Sequence, residues 1–198
     1  MAEYNKLYDV PIQLEGYDPT YKGHQGQIKK AATLIKNAKR PLIIAGAGVL
    51  KSGAMAELKA LAEKAQIPVA NTLVGLGGFP GNHELALGMV GMHGSVAANN
   101  CTEDADLVIA AGIRFHDRIT GHPDFFCKKA KIIHIDIDPA EIDKNVTINV
   151  PIVGDLKRVL TELNTFVEPT THESWIAQIR EWQQEYPMVV PKSTRSEE

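Results

Sequence analysis

Short apolar runs alternate with longer amphipathic segments along most of the chain. The runs are rich in β-branched residues and are bounded by turn-forming residues, which is typical of buried parallel strands. Five strands are predicted, at residues 42–45, 67–70, 107–111, 131–137 and 150–153. Helices are predicted around them, at residues 27–37, 52–65 and 94–100, and from residues 138 and 155 onwards. This alternation predicts βαβ units, and therefore an α/β fold with a three-layer, doubly wound, Rossmann-like parallel sheet.

Polar residues mark the beginnings of three predicted helices. Ser52 can cap a helix whose inner face includes Met55. Asp138-Pro139 combines an aspartate at the N-cap with a proline at the first helical position. Gly154-Asp155 opens the helix that follows the last predicted strand.

Composition divides the chain into three segments. Residues 1–25 are rich in Tyr, Gly, Pro and Asp without a sustained apolar period, which predicts an interdomain linker. Its abrupt start suggests that another segment precedes it. Residues 26–167 form the central α/β domain, and residues 168–198 are predicted to be a C-terminal helix and linker. The aromatic face of that helix either docks on its own domain or covers another domain. This face is formed by Trp175, Ile179, Trp182 and Tyr186.

Charge and hydropathy exclude several classes of protein. Apolar residues make up 44% of the chain and charged residues 23%, as in soluble globular proteins. No apolar run approaches the roughly 20 residues of a membrane span, and Met1 to Val10 has no signal pattern. The net charge of −3 without a basic block argues against a nucleic-acid partner. Cys101 and Cys127 have neither disulfide-framework nor zinc-ribbon spacing. We therefore expect a cytoplasmic protein with no membrane or nucleic-acid partner.

Turns at the carboxyl ends of predicted strands carry the candidate binding chemistry. Gly46-Ala47-Gly48 precedes a helix, where glycine lets the backbone approach a phosphate; a tight turn is the alternative. Asp136 can hydrogen-bond a ribose diol, and Gly154-Asp155 repeats the glycine-then-helix arrangement. His134 is predicted to be a buried sheet histidine, and Asp138 only a cap. Three such features indicate a nucleotide-sized ligand at this edge of the sheet.

The segment GIRFHDRITG, residues 112–121, is the most unusual stretch. Arg114 and Arg118 could bind a pyrophosphate or carboxylate through bidentate hydrogen bonds, although a solvated ion-pair loop is the alternative. The glycine- and methionine-rich segment 88–94 can lie against a ring system. The chain has no GxSxG, HExxH or Walker loop, and no metal site is expected. Any chemistry is therefore expected to belong to a cofactor or another domain.

Several of these motifs together resemble the central domain of acetolactate synthase, the large catalytic subunit of acetohydroxyacid synthase. This is a thiamine-diphosphate enzyme with a DHS-like central domain. The resemblance covers residues 25–163, and GMHG followed by RFxDRxTG is specific. The matching motifs are RPLIIAGAGV (40–49), ANTLVGLGGFPGNHELALGMVGMHGSVAAN (70–99), GIRFHDRITG (112–121), HIDIDPAEIDKN (134–145) and VPIVGD (150–155).

The resemblance implies a transferase of branched-chain amino acid biosynthesis. Such an enzyme condenses pyruvate with pyruvate or 2-ketobutyrate, with loss of CO₂, to give acetolactate or acetohydroxybutyrate. Thiamine diphosphate and Mg²⁺ bind between an N-terminal pyrimidine-binding domain and a C-terminal pyrophosphate-binding domain of two subunits. The chain is expected to be the middle piece without those domains, and inactive alone. The complete enzyme is expected to be a homodimer or homotetramer, with or without a regulatory subunit.

The resemblance also implies an FAD site in the central domain. Arg118 matches an arginine that helps recognise the second 2-keto acid, a role that exists only in the full enzyme. His116 replaces the aspartate usual in the family, which could alter flavin contacts. The alternatives are a flavin-free thiamine-diphosphate decarboxylase, carboligase or catabolic acetolactate synthase, and a free-standing nucleotide-binding module without catalysis. The implied cofactor-binding residues are Gly46, Ala47, Gly48, Thr72, Leu73, Val90, Gly91, Met92, His93, Gly112, Ile113, Arg114, His116, Arg118, Ile119, Asp136, Ile137, Gly154 and Asp155.

Overall fold

The structure is a computed structural model that describes residues 20–122 and 126–188. Within them, six strands form one parallel sheet in the order β3-β2-β1-β4-β5-β6. The strands are β1 (Pro41–Ala45), β2 (Val69–Asn71), β3 (Ala86–Met89), β4 (Leu107–Ala111), β5 (Lys131–Asp136) and β6 (Val150–Val153). The helices are α1 (Gln25–Asn37), α2 (Ala47–Lys51), α3 (Met55–Lys64), α4 (Val96–Asp104), α5 (Asp117–Thr120), α6 (Leu156–Phe166) and α7 (Glu173–Glu185).

The sheet is covered by helices on both faces. Helices α1, α3 and α6 pack together on one face, and α4 and α7 pack together on the other. Neighbouring residues of β1 divide between the two sides: Ile43 belongs to the first core and Ile44 to the second, and both are fully buried. Burial on both faces explains why β1 and β4 are continuously apolar. The predicted three-layer, doubly wound α/β fold is confirmed.

One predicted helix start is wrong. Ser52 ends α2 instead of beginning the next helix, and its Oγ donates a hydrogen bond to the Gly48 carbonyl at 2.7 Å. Gly53 has a φ of +64°, a left-handed conformation that suits glycine and separates the two helices. Helix α3 therefore begins one turn later, and Met55, which was predicted to face inward, is 41% exposed.

Strand β3 was missed by the sequence analysis. Its four residues, ALGM, contain no β-branched side chain, and Gly88 has a φ of +79°. β3 pairs with β2 through an irregular register between Val69 and Ala70. Neither strand propensity nor apolar alternation marks such a segment, because it becomes a strand through its backbone pairing with β2.

Two aspartates cap the segments that they were predicted to begin. The Asp155 carboxylate accepts a hydrogen bond from the Arg158 amide at 3.1 Å and starts α6. The Asp138 carboxylate accepts one from the Ala140 amide at 3.0 Å. Only a single 3₁₀ turn, Pro139–Glu141, follows Asp138, so the longer helix predicted there does not form.

Helix α7 docks on its own domain, the first of the two alternatives for its aromatic face. Trp175 is buried, and its Nε1 donates a hydrogen bond to the Pro41 carbonyl at 3.0 Å. Trp182 packs edge-on against Trp175, whereas Tyr186 is 46% exposed. The predicted linker residues 1–19 and 189–198 lie outside the described residues. In residues 20–122 and 126–188, no helix has both the length and the apolar character needed to cross a membrane.

Candidate functional site

The candidate site lies where the strand order reverses, between β1 and β4. In doubly wound sheets, the connections leave these two strands in opposite directions and open a crevice outside their carboxyl ends. A cavity of about 680 Å³ occupies this position. Its volume falls within the range of roughly 300 to 1,000 Å³ that is usual for small-molecule sites.

The glycines after β1 allow two backbone turns to touch. The amides of Gly46 and Gly48 donate hydrogen bonds to the carbonyls of Ala111 and Gly112, each at 3.0 Å. A Cβ on Gly46 would lie 2.3 Å from the Gly112 oxygen, and one on Gly48 would lie 2.6 Å from the Gly112 Cα. The tight-turn alternative therefore explains both glycines. Their turn still forms part of the cavity wall, together with Ala47.

Basic and acidic side chains line the same cavity. Lys51 and Arg114 supply cationic donors of the kind that bind phosphates. Asp136 and Asp155 lie at the carboxyl ends of β5 and β6, where a carboxylate can accept hydrogen bonds from a ribose. Asp136 is held by its own turn, since one carboxylate oxygen accepts the Asp138 amide at 2.9 Å.

Thr72 provides a polar group suited to a ligand. Its side chain lines the cavity and is almost fully buried, and its amide donates to the Ala45 carbonyl at 2.9 Å. The hydroxyl has no hydrogen-bond partner within the described ranges. A buried unpaired hydroxyl costs roughly 1 to 3 kcal/mol, and a polar group of a ligand that reached it would offset this cost. The donor set and this hydroxyl fit a dinucleotide such as FAD.

The structure brings most of the predicted cofactor-binding residues around this cavity. Leu73, Val90, Gly91, Met92, His93, Arg118 and Gly154 are not among the lining residues. The predicted residues that line it are Gly46, Ala47, Gly48, Thr72, Gly112, Ile113, Arg114, His116, Ile119, Asp136, Ile137 and Asp155.

The glycine-methionine segment lies beside the loop after β4. The Met92 amide donates a hydrogen bond to the Arg118 carbonyl at 3.0 Å, and Gly91 exchanges hydrogen bonds with the Asn99 side chain. The Met92 side chain is 71% exposed, and Arg118 is also exposed. Met92 and Arg118 thus present side chains at the surface next to the cavity rather than within its wall.

Several lining residues were missed by the sequence analysis. They are Leu50, Lys51, Val74, Ile135 and Leu156, together with Ser52 and Asp138, which were considered only as caps. A usable signal for Lys51 is its short separation along the chain from the glycine turn after β1, which keeps it near the carboxyl edge of the sheet. The apolar residues carry no comparable signal in the sequence.

His134 is a buried sheet histidine, as predicted. It is fully buried in β5, and its Nε2 donates a hydrogen bond to the Ile113 carbonyl at 2.9 Å. The Phe115 ring packs edge-on against the imidazole. Burial lowers the pKa of His134 below its ordinary value of 6.5, and this effect outweighs the opposing hydrogen bond and nearby carboxylates.

Acidification is expected to destabilise the fold through His134. An unfolded histidine binds its proton near pH 6.5, whereas folded His134 does so only at lower pH, so acid favours unfolding below that value. We expect the contribution of His134 to the free energy of unfolding, measured with urea, to fall by up to about 1.4 kcal/mol per pH unit below 6.5. His134→Gln should lose this contribution, whereas exposed His116→Gln should keep it. Equal pH dependence in the wild-type protein and both variants would contradict the assignment of this effect to His134. Burial also lowers the pKa of His172, but His172 is present in all three proteins and contributes equally to each.

Comparison with known proteins identifies the family. Residues 28–163 match the family described as thiamine pyrophosphate enzyme, central domain. The chain belongs to this family. In the described part of this central domain, no cluster of three or more His, Cys, Asp or Glu side chains could hold a metal ion.

Several curated relatives of this central domain are named acetolactate synthase large subunits. The chain is 53% identical over 179 residues to the probable large subunit of Methanocaldococcus jannaschii, covering 88% of this chain and 30% of that protein. It is 47% identical over 181 residues to that of Corynebacterium glutamicum, covering 91% and 29%. It is 40% identical over 184 residues to the isozyme 3 large subunit of Escherichia coli, covering 91% and 32%. The chain thus spans about 30% of the length of the curated relatives that it matches.

Proposed function

We propose that the chain is the FAD-binding central domain of an acetolactate synthase large subunit. Such a synthase condenses pyruvate with pyruvate or 2-ketobutyrate, with loss of CO₂. The relatives named acetolactate synthase, at 40% to 59% identity, support the enzyme class. The cavity at the reversal of strand order carries the cofactor proposal, because it combines phosphate-binding cations with ribose-binding carboxylates.

Membership of the family supports thiamine diphosphate as the cofactor of the complete enzyme. We propose that Mg²⁺ accompanies it and that both bind to an N-terminal pyrimidine-binding and a C-terminal pyrophosphate-binding domain. The chain covers about 30% of its relatives, which is consistent with those domains lying outside it. The 198-residue chain alone is then inactive. We also propose that the complete enzyme is a homodimer or homotetramer, with or without a regulatory subunit. Its proposed location is the cytoplasm.

Different residues of the cavity would bind different parts of the dinucleotide. Lys51 and Arg114 would bind the diphosphate, Asp136 would accept hydrogen bonds from the ribose, and the Thr72 hydroxyl would pair with a polar group of the ligand. Bound FAD would act as a structural ligand, since the condensation involves no net redox change. Exposed Arg118 would lend positive charge to the mouth of the active site for the second 2-keto acid.

Arg114→Ala is expected to weaken FAD binding by about tenfold or more, because a charge-assisted hydrogen bond is worth about 1.5 to 3 kcal/mol. The measurement is a titration of the 198-residue chain with FAD, following flavin fluorescence, with NAD as the competing dinucleotide. Wild-type protein should saturate with FAD and not with NAD.

Arg180→Ala is a matched control for this titration. Arg180 and Arg114 are each 58% exposed, and each lies 3.7 Å from a glutamate, but Arg180 is on α7 and outside the cavity. If both substitutions weakened FAD binding equally, the effect would come from the loss of a positive charge anywhere on the chain and not from a contact in the cavity. Preference for NAD, or no saturable FAD binding, would contradict the FAD proposal and favour a flavin-free relative.

A further inference from the structure

Residues 113–115, in the loop after β4, each contact a side chain from residues 134–145. The Ile113 carbonyl accepts a hydrogen bond from His134 Nε2 at 2.9 Å, and the Phe115 carbonyl accepts one from Asn145 Nδ2 at 2.8 Å. Between these two anchors, Arg114 Nε lies 3.7 Å from Glu141 Oε1. Side chains of residues 134–145 therefore contact three consecutive residues of the loop, two of them through hydrogen bonds.

Glu141 is a fixed anion beside the cavity. Its side chain is only 9% exposed, and a buried carboxylate is costly unless a cation compensates it. Lys144 Nζ lies 3.0 Å from the same Oε1 atom, and the Glu141 amide donates to the Asp138 carbonyl in the 3₁₀ turn. The carboxylate therefore has a second cation beside it, and its backbone is held by the turn.

The side chain of Arg114, in contrast, is largely exposed, so without the contact to Glu141 it could adopt many conformations. Its side chain is 58% exposed, and a long side chain at the surface loses rotamer entropy when a ligand immobilises it. A contact through Nε restricts the guanidinium in advance. The two Nη groups can still bind a phosphate in a bidentate manner.

We propose that Glu141 is a positioning residue that orients the Arg114 guanidinium toward the dinucleotide in the cavity. This inference rests on the proposed FAD function. Glu141 lies outside the cavity wall, so it acts on the ligand only through Arg114. His134 and Asn145 complete the arrangement by fixing the backbone on either side of Arg114.

The test is a double-mutant cycle on FAD affinity in the 198-residue chain. Glu141→Gln keeps the shape of the side chain and removes its charge, and we expect FAD to bind about fivefold more weakly. In an Arg114→Ala background, Glu141→Gln should have no further effect. An unchanged affinity, or equal weakening in both backgrounds, would overturn the proposal.

Glu168→Gln is the matched control. It removes the same charge from an exposed ion pair, in which Glu168 lies 2.8 Å from Lys36, away from the cavity. We expect FAD affinity to stay at the wild-type value. Weakening equal to that of Glu141→Gln would attribute the effect to net charge and overturn the positioning role.

A second measurement separates this inference from the FAD proposal. The Nε–H signal of Arg114 in nuclear magnetic resonance spectra of the ligand-free chain is assigned by its loss in Arg114→Ala. Glu141→Gln should shift or broaden this signal, and Glu168→Gln should leave it unchanged. Wild-type protein that fails to bind FAD would reject the proposed function, while the Nε–H signal would still decide whether Glu141 orients Arg114. A signal insensitive to Glu141→Gln would overturn the inference even if FAD binds.

Discussion

Gly112→Ala is expected to lower the free energy of unfolding by about 4 kcal/mol, from backbone strain and overpacking together. Gly112 has a φ of +60°, and its Cβ would lie 2.6 Å from the Gly48 Cα. The contact is with backbone, so no side-chain rotation can relieve it. The glycine turns after β1 and β4 would have to separate, which would deform the cavity and weaken the proposed binding of FAD as well. Urea unfolding followed by circular dichroism measures the first effect.

Gly53→Ala isolates the contribution of the backbone conformation alone. Gly53 has a φ of +64°, close to that of Gly112, but a Cβ there meets no atom within 4 Å. We expect a loss of about 1 kcal/mol, the cost of placing alanine in a left-handed conformation. If both substitutions cost the same, the two turns can move apart freely, and their contact does not define the cavity.

The contact between these turns shows what sequence patterns can and cannot reveal about the site. Glycines at the carboxyl ends of β1 and β4 were predicted to mark a ligand, and the cavity lies beside them. The reason for Gly48 is nevertheless its approach to Gly112, which depends on β1 and β4 being neighbours. No local pattern records which strands become neighbours. Position after a strand thus predicts where a site lies better than which atoms form it.

The fold was predictable where burial imposes a pattern on the sequence. β1 and β4 are fully buried, so their β-branched runs identified them directly. β3 lies at the edge of the sheet and contains a glycine with positive φ, so neither rule applied to it. The boundary between α2 and α3 was mispredicted because one residue type can serve at either end of a helix. A serine is a common helix N-cap, but Ser52 bonds backward to Gly48 and ends a helix instead.

The role of Glu141 lay beyond the sequence analysis for a different reason. Glu141 was not singled out there and lies within the motif HIDIDPAEIDKN. Its importance depends on the turn Pro139–Glu141 packing beside the loop after β4, which brings its carboxylate near Arg114. Long-range contacts of this kind come from the parallel pairing of β4 and β5, not from local propensity.

Trp175→Ala is expected to lower the free energy of unfolding by about 4 kcal/mol, the usual cost of removing a large buried aromatic side chain. Trp175 is 3% exposed and fills the core between α7 and the sheet. It also donates a hydrogen bond to the Pro41 carbonyl at the start of β1. Trp175→Phe retains most of the packing and should lose about 1 to 2 kcal/mol with the hydrogen bond. Urea unfolding measures both differences.

Trp182→Ala tests whether the loss comes from the docked face of α7. Trp182 lies on the same helix and packs edge-on against Trp175, but it is only partly buried. Trp182→Ala changes helix propensity as Trp175→Ala does but removes less buried surface. We therefore expect the free energy of unfolding to fall by about 1 to 2 kcal/mol. A cost equal to that of Trp175→Ala would contradict the docking through Trp175. The expected order would show that α7 is an integral part of the fold, because its buried tryptophan donates a hydrogen bond to the strand that leads into the candidate cavity.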